Sequence, residues 1–148
     1  LLQALKYAGY LELAGFFAEA LAREARVWPD ALVALPLSPQ RQRTRGYNQA
    51  GEIARALAAR GRTPLVDALV RTRDTPPQAG LQWAERARNV RGAFALRTSV
   101  TGLRIAIVDD VMTTGATLRA AATAIRDAGA REVDAWVVAR TLPPAQPP

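Results

Sequence analysis

The 148-residue chain contains neither cysteine nor histidine. The first absence excludes disulfides and thiolate metal sites, and the second excludes imidazole bases and Ser-His or Cys-His nucleophile pairs. Any metal ion must therefore be held by oxygen. The apolar runs of the chain are far shorter than the ~20 residues of a membrane span, and no secretory signal opens the chain. We therefore expect a soluble, cytoplasmic protein with no membrane partner.

Acidic residues are outnumbered by basic ones, 13 to 20, which gives a net charge of +7, and all but one of the basic residues are arginines. The guanidinium group is a planar fork of donors that suits phosphate and carboxylate. Phosphorylated small molecules and a nucleic-acid backbone are both compatible with this charge. Genome bias is the alternative explanation for many of the exposed arginines.

The apolar fraction of 49% is enough for one sizeable core. We expect a single domain over residues 1–141, opened by an N-terminal helical segment at 1–27 and followed by a disordered tail at 142–148. Buried strands are predicted at 31–37 and 103–108 and further strands at 93–96 and 133–139, with a short apolar piece within 65–72. Helices are predicted at 48–60, 81–90 and 117–128, with a basic loop at 38–46. This alternation predicts an α/β fold with a mainly parallel sheet flanked by helices.

One strand runs directly into an acidic pair, two threonines and a glycine: Ile105-Ala-Ile-Val-Asp-Asp-Val-Met-Thr-Thr-Gly-Ala-Thr117. The carboxyl ends of strands are where open α/β sheets bind ligands. The turn can present N–H groups and hydroxyls to a phosphate, Gly115 permits a positive φ, and the next helix aims its N-terminus at the same point. Asp109 and Asp110 can accept hydrogen bonds from vicinal ribose hydroxyls and help hold Mg²⁺. The segment therefore predicts a ribose 5-phosphate site.

Two structural alternatives stay open for this segment. Thr117 can serve simply as a helix cap, and the acidic pair can be a solvated turn. Other phosphate motifs fit less well, because the sequence has no Gly-x-x-x-x-Gly-Lys-Ser/Thr and no Gly-x-Gly-x-x-Gly.

The segment resembles the 5-phosphoribosyl-1-pyrophosphate (PRPP) signature of type I phosphoribosyltransferases, with Ala106 where the family generally has a larger aliphatic residue. Three further strings precede it: Pro36-Leu-Ser-Pro-Gln-Arg-Gln-Arg-Thr-Arg-Gly-Tyr-Asn-Gln49, Arg71-Thr-Arg-Asp-Thr-Pro-Pro-Gln78 and Arg86-Ala-Arg-Asn-Val-Arg-Gly-Ala-Phe94. Together they resemble the ComF family of competence-associated phosphoribosyltransferases. That family commonly begins with a four-cysteine zinc ribbon, which is lacking here, either because it precedes residue 1 or because this member has none.

The resemblance implies a type I phosphoribosyltransferase fold and a role for each part of the site. The 5′-phosphate would be bound by Val111, Met112, Thr113, Thr114, Gly115, Ala116 and Thr117. Pyrophosphate would be bound by Arg41, Arg43, Arg45 and Gly46, whose alternative is a solvated basic turn. A flexible hood at 71–92 would contribute Arg71, Arg73, Gln78, Arg86 and Asn89, unless it is an ordinary surface loop. Tyr47, Asn48 and Gln49 can instead order the helix start, with Asn48 as its cap.

The implied reaction is attack of a nitrogen acceptor at the anomeric carbon of Mg²⁺-bound PRPP, with release of pyrophosphate. Asp109 and Asp110 would be the catalytic and metal-binding residues, and proton removal would fall to one of them or to the acceptor itself. The alternatives are a PRPP- or nucleotide-sensing competence protein and a nucleic-acid-binding module, although the few aromatics are not interleaved with the arginines. Candidate partners are a second copy in a homodimer, DNA-uptake proteins and single-stranded DNA.

Overall fold

The computed structural model of the protein describes residues 12–72 and 92–141. The elements in these ranges are α1 (Glu12–Glu24), β1 (Ala31–Ala34), α2 (Pro39–Arg45), α3 (Gln49–Gly61), β2 (Leu69–Arg71), β3 (Phe94–Leu96), β4 (Arg104–Met112), α4 (Ala116–Asp127) and β5 (Glu132–Arg140). No helix in the described ranges has the length and apolar character needed to cross a bilayer. The predicted tail at 142–148 and the helix predicted at 81–90 lie outside these ranges.

A parallel sheet with the order β1-β4-β5 forms the centre of the molecule. Central β4 pairs with β1 on one side, where Ala31 is opposite Ile105, and with β5 on the other. A bridge between Leu32 and Leu65 adds a further parallel segment beside β1. The residues from Ile105 to Val108 are completely buried. This fits a parallel strand covered on both faces, and the predicted α/β fold is confirmed.

The two faces of the sheet are covered by different helices. On one face, α1 and α3 pack over Leu32, Ala106 and Val108. On the other face, α4 packs over Ile105 and Ile107. The chain leaves β1 through α3 toward the Leu65 side and leaves β4 through α4 toward β5. Adjacent strands β1 and β4 are therefore the point at which the sheet order reverses, and open α/β sheets bind ligands outside such a point.

β2 and β3 form a separate antiparallel pair, with Leu69 opposite Leu96. Leu69 and Phe94 are buried, and both belong to the cluster of apolar residues on the α4 face of the sheet. The pair therefore anchors both ends of the segment for which a hood is predicted. Residues 73–91 of that segment lie outside the described ranges.

The prediction of a loop over residues 38–46 is wrong, because Pro39–Arg45 forms helix α2. Ser38 is its N-cap and accepts a hydrogen bond from the backbone of Arg41 (3.4 Å), and the helix ends at Gly46 with φ of 75°. A serine before a proline and a glycine at the far end are standard helix boundaries. These boundary signals outweigh the charge of the three arginines between them.

Two strand boundaries also differ from prediction. β1 ends at Ala34 rather than at residue 37, and Leu35, just past its end, still donates a backbone hydrogen bond to the carbonyl of Val108 (2.9 Å). β4 continues past Val108 to Met112, because β5 runs beside it as far as Arg140. Asp109 and Asp110 are therefore strand residues rather than members of a solvated turn.

Candidate active site

The early end of β1 opens a cavity beside β4. Once the chain turns away at Leu35, no strand among the described residues pairs with that edge of β4 from Asp109 onward. The cavity of about 320 Å³ is bounded by this edge, by α2, by the first residues of α3 and by the turn that leads into α4. Every residue from Asp109 to Leu118 lines it. The structure thus brings the whole predicted ribose-phosphate segment to one cavity.

Both acidic side chains are half-buried in the cavity wall. The Asp109 carboxylate accepts a hydrogen bond from the backbone N–H of Asp110 at 2.8 Å. The Asp110 carboxylate accepts one from the backbone N–H of Val111, also at 2.8 Å. These bonds orient one oxygen of each carboxylate. Such carboxylates can bind hydroxyl groups or a hard cation.

The turn into α4 has the conformation expected of a phosphate-binding loop. Gly115 is the N-cap of α4 with φ of 74°, in the left-handed region that L-residues rarely adopt. Thr114 accepts a hydrogen bond through its hydroxyl from the backbone of Ala116 (3.3 Å). Thr117 is already inside the helix, so the alternative in which it caps α4 is wrong. The 12-residue helix directs its first N–H groups and its positive dipole end toward the cavity.

The four predicted pyrophosphate residues do not all reach this cavity. Arg41 and Arg45, one helical turn apart on α2, both line it. Arg43 projects from the other side of the helix and lines a second cavity instead. Gly46 ends α2 in the left-handed conformation and is not among the lining residues.

Of the five predicted hood contacts, the described ranges include only Arg71. It lines the cavity from β2, and its guanidinium group lies 5.7 Å from the centre of the Phe94 ring on β3. This cation–π contact positions Arg71 against the antiparallel pair. Arg73, Gln78, Arg86 and Asn89 lie outside the described residues.

Two polar residues at the start of α3 also line the cavity, although neither was predicted as a site residue. Asn48 caps α3 by accepting a hydrogen bond from Ala50 (3.1 Å), which confirms the predicted cap, and it donates to the carbonyl of Leu35 (3.0 Å). Gln49 follows and is only 2% exposed. The sequence feature that could have identified both as cavity residues is their position at the start of a helix, directly after an arginine-rich stretch.

Comparisons with known proteins agree with this geometry. Residues 43–147 match the phosphoribosyl transferase domain family. The chain is 37% identical over 116 residues to competence protein F of Haemophilus influenzae, an alignment that covers 76% of this chain and 51% of that protein. The chain belongs to the phosphoribosyltransferase family, in its ComF group. The predicted resemblance is confirmed.

Two further similarities define how far the phosphoribosyltransferase match extends. The DNA utilization protein YhgH of Salmonella typhi is 34% identical over 151 residues, covering 96% of this chain and 66% of that protein. The chain thus spans about half to two thirds of the length of these relatives. Glutamine PRPP amidotransferase from Bacillus subtilis, solved with ADP and GMP, superimposes with a TM-score of 0.61 at 26% identity, over 91% of this chain and 27% of that one. The type I phosphoribosyltransferase fold is confirmed.

Proposed function

We propose that this phosphoribosyltransferase binds Mg²⁺-PRPP in the cavity between β1 and β4 and transfers phosphoribose to a nitrogen acceptor. One observation carries the proposal. The acidic pair, the loop around Gly115 and arginines from α2 and β2 all line the same cavity of about 320 Å³. Small-molecule sites commonly enclose about 300–1,000 Å³.

The 5′-phosphate is assigned to the loop from Thr113 to Thr117. The positive φ of Gly115 turns the backbone so that successive N–H groups can face one anion, and the start of α4 adds a partial positive charge. Val111 and Met112 complete the segment on the strand side. Thr113 is exposed and Thr114 half-exposed, so both hydroxyls are accessible to a ligand.

The ribose hydroxyls and Mg²⁺ are assigned to Asp109 and Asp110. Mg²⁺ is usually held by one or two carboxylates together with oxygens of a phosphorylated substrate. Within residues 12–72 and 92–141, no cluster of three or more acidic side chains could hold a metal without help. Asp109 and Asp110 would hold the cation together with oxygens of the substrate, and the bound cation would neutralise part of the substrate's negative charge.

The pyrophosphate leaving group is assigned to Arg41 and Arg45 of α2, together with Arg71 of β2, which lines the same cavity. In the reaction, a C–N bond forms at the anomeric carbon while the C–O bond to pyrophosphate breaks, and the bonding electrons leave with pyrophosphate. The acidic pair stabilises the positive charge that develops on the ribose, and the two α2 guanidinium groups stabilise the leaving group. Bound Mg²⁺ would supply further charge neutralisation. The acceptor loses its proton to a carboxylate or to water.

A second candidate function uses the same site without efficient turnover. The similar proteins are named for competence and DNA utilization, which supports a PRPP-sensing role in DNA uptake. The charge of +7 also leaves binding of single-stranded DNA as a third candidate.

The test is pyrophosphate release from Mg²⁺-PRPP in the presence of ammonia, amines and free nucleobases. An enzyme releases pyrophosphate in an acceptor-dependent manner, and the Asp109→Asn, Asp110→Asn double variant does not. PRPP binding without release under any acceptor favours the sensor. Absence of PRPP binding by the wild-type protein contradicts both, and a salt-sensitive gel shift with single-stranded DNA then supports the third candidate.

A further inference from the structure

Gln49 has an unusual environment for a polar side chain. It is the first residue of α3, it is 2% exposed, and it lines the same cavity as the acidic pair. Its Nε2 atom is buried and has no hydrogen-bond partner within the described part of the chain. A buried donor without an acceptor costs the folded state its full desolvation penalty. Such a residue needs an explanation beyond packing.

The N-terminal cap of α3 does not require the amide group of Gln49. Capping of α3 is already done by Asn48, which bonds the backbone of Ala50 and ties the helix start to Leu35. A methionine side chain of similar length and flexibility would fill the same space without a polar atom. The retained carboxamide is therefore a cost to stability at a site where a ligand is proposed to bind.

The location of Gln49 indicates which part of the ligand it meets. It follows α2, whose Arg41 and Arg45 line the same cavity, and it lies at the N-terminus of the 13-residue helix α3, where donors and the helix dipole favour an anion. We propose that the Gln49 carboxamide donates a hydrogen bond from Nε2 to a pyrophosphate oxygen of PRPP. This inference rests on the proposed function. The last side-chain torsion of glutamine is soft, so the amide can turn into the cavity when the ligand arrives.

Removal of the Gln49 carboxamide is expected to weaken ligand binding without lowering the stability of the protein. Gln49→Met removes the donor, so affinity for Mg²⁺-pyrophosphate and Mg²⁺-PRPP falls about 10- to 100-fold, the effect of losing a hydrogen bond to a charged group. Affinity for ribose 5-phosphate, which lacks the pyrophosphate, stays within about twofold. The unfolding temperature of the ligand-free variant is equal to or above that of the wild type, because an unsatisfied buried donor has been replaced by an apolar group.

The experiment is titration calorimetry of wild type and Gln49→Met with Mg²⁺-pyrophosphate, Mg²⁺-PRPP and ribose 5-phosphate, together with thermal unfolding of each protein. Gln42→Met is the matched control. It makes the same chemical change at an exposed glutamine on α2 that lines the second cavity, and it leaves all three affinities unchanged. Gln49→Leu is a second donor-free variant.

Each outcome decides the proposal. Equal affinity of wild type and Gln49→Met for pyrophosphate overturns the proposal. So does a loss of affinity for ribose 5-phosphate in Gln49→Met that is as large as its loss for pyrophosphate. Failure of both donor-free variants to fold also overturns it, because the carboxamide is then structural. A wild-type protein that binds ribose 5-phosphate but neither pyrophosphate nor PRPP contradicts the proposed function itself. That result is distinct from a loss confined to the variant.

Discussion

Replacing Gly115 with alanine tests whether the loop before α4 depends on a backbone conformation that only glycine adopts easily. Gly115 has φ of 74°, and an added Cβ would lie 3.1 Å from Nη1 of Arg119 and 3.4 Å from Sδ of Met112. The Arg119 guanidinium is the end of an exposed, flexible side chain and can move by the few tenths of an ångström required. Backbone strain is therefore the main cost of the substitution.

Gly102 provides a matched control for this strain. It also has φ of 74°, nothing lies within 4 Å of its added Cβ, and it precedes β4 at the end opposite the cavity. A left-handed conformation costs an L-residue about 1–2 kcal/mol. In a chain of this size each kcal/mol lowers the unfolding temperature by about 2–4 °C. We expect Gly115→Ala and Gly102→Ala to lose similar stability, about 2–8 °C by these figures.

The two variants should differ in ligand binding. Alanine is strained at the positive φ of position 115 and shifts the loop away from it, so the N–H groups of the loop no longer converge on one phosphate, and PRPP affinity falls tenfold or more, or about 1.4 kcal/mol. Gly102→Ala keeps wild-type affinity. Thermal unfolding and titration calorimetry of both variants measure the two effects. Equal PRPP affinity of Gly115→Ala and Gly102→Ala would refute the assignment of the phosphate to this loop.

Three further predictions concern the elements around the cavity. Gly61→Ala should lower the free energy of unfolding in urea by about 1–3 kcal/mol, because the added Cβ would lie 2.1 Å from the Trp28 ring. Gly51→Ala, in the same helix, should not lower it, because its Cβ would meet no atom closer than 3.5 Å. Asn48→Ala should lower the free energy of unfolding by about 1–2 kcal/mol, because α3 loses its N-cap. An unchanged midpoint of urea unfolding would contradict this prediction. Arg41→Gln should weaken pyrophosphate binding about tenfold in calorimetry, whereas Arg43→Gln should not; equal losses would contradict the α2 geometry.

The local structure of the segment from Asp109 to Thr117 could be predicted because its signals are local. An apolar run that ends in two acids, followed by threonines, a glycine and a helix pattern, specifies a strand, a turn and a helix in adjacent positions. The positive φ of Gly115 and the cavity around the segment agree with that pattern. The full length of β4 could not be predicted, because it depends on β5 running beside Asp109 and beyond.

Other parts of the site depend on contacts between distant segments. The charge of the α2 sequence suggested a loop, although Ser38, Pro39 and Gly46 carried the helix boundaries. Which of its arginines face the cavity depends on the rotation of that helix, which no local pattern determines. Gln49 is an ordinary polar residue in the sequence, and only the structure brings it beside β4 with a donor that has no partner among the described residues. The predicted contacts at Arg73, Gln78, Arg86 and Asn89 stay predictions.

The most direct test of the proposed PRPP site is titration of Mg²⁺-PRPP into wild type and into the Asp109→Asn, Asp110→Asn variant. Asparagine keeps the side-chain oxygens that accept from Asp110 and Val111, so the fold is retained while both charges are lost. The double variant Asp127→Asn, Asp134→Asn removes the same charge away from the cavity and serves as control. We predict that the control binds like wild type and that the first variant binds at least 100-fold more weakly. Equal affinity of all three proteins would contradict the account.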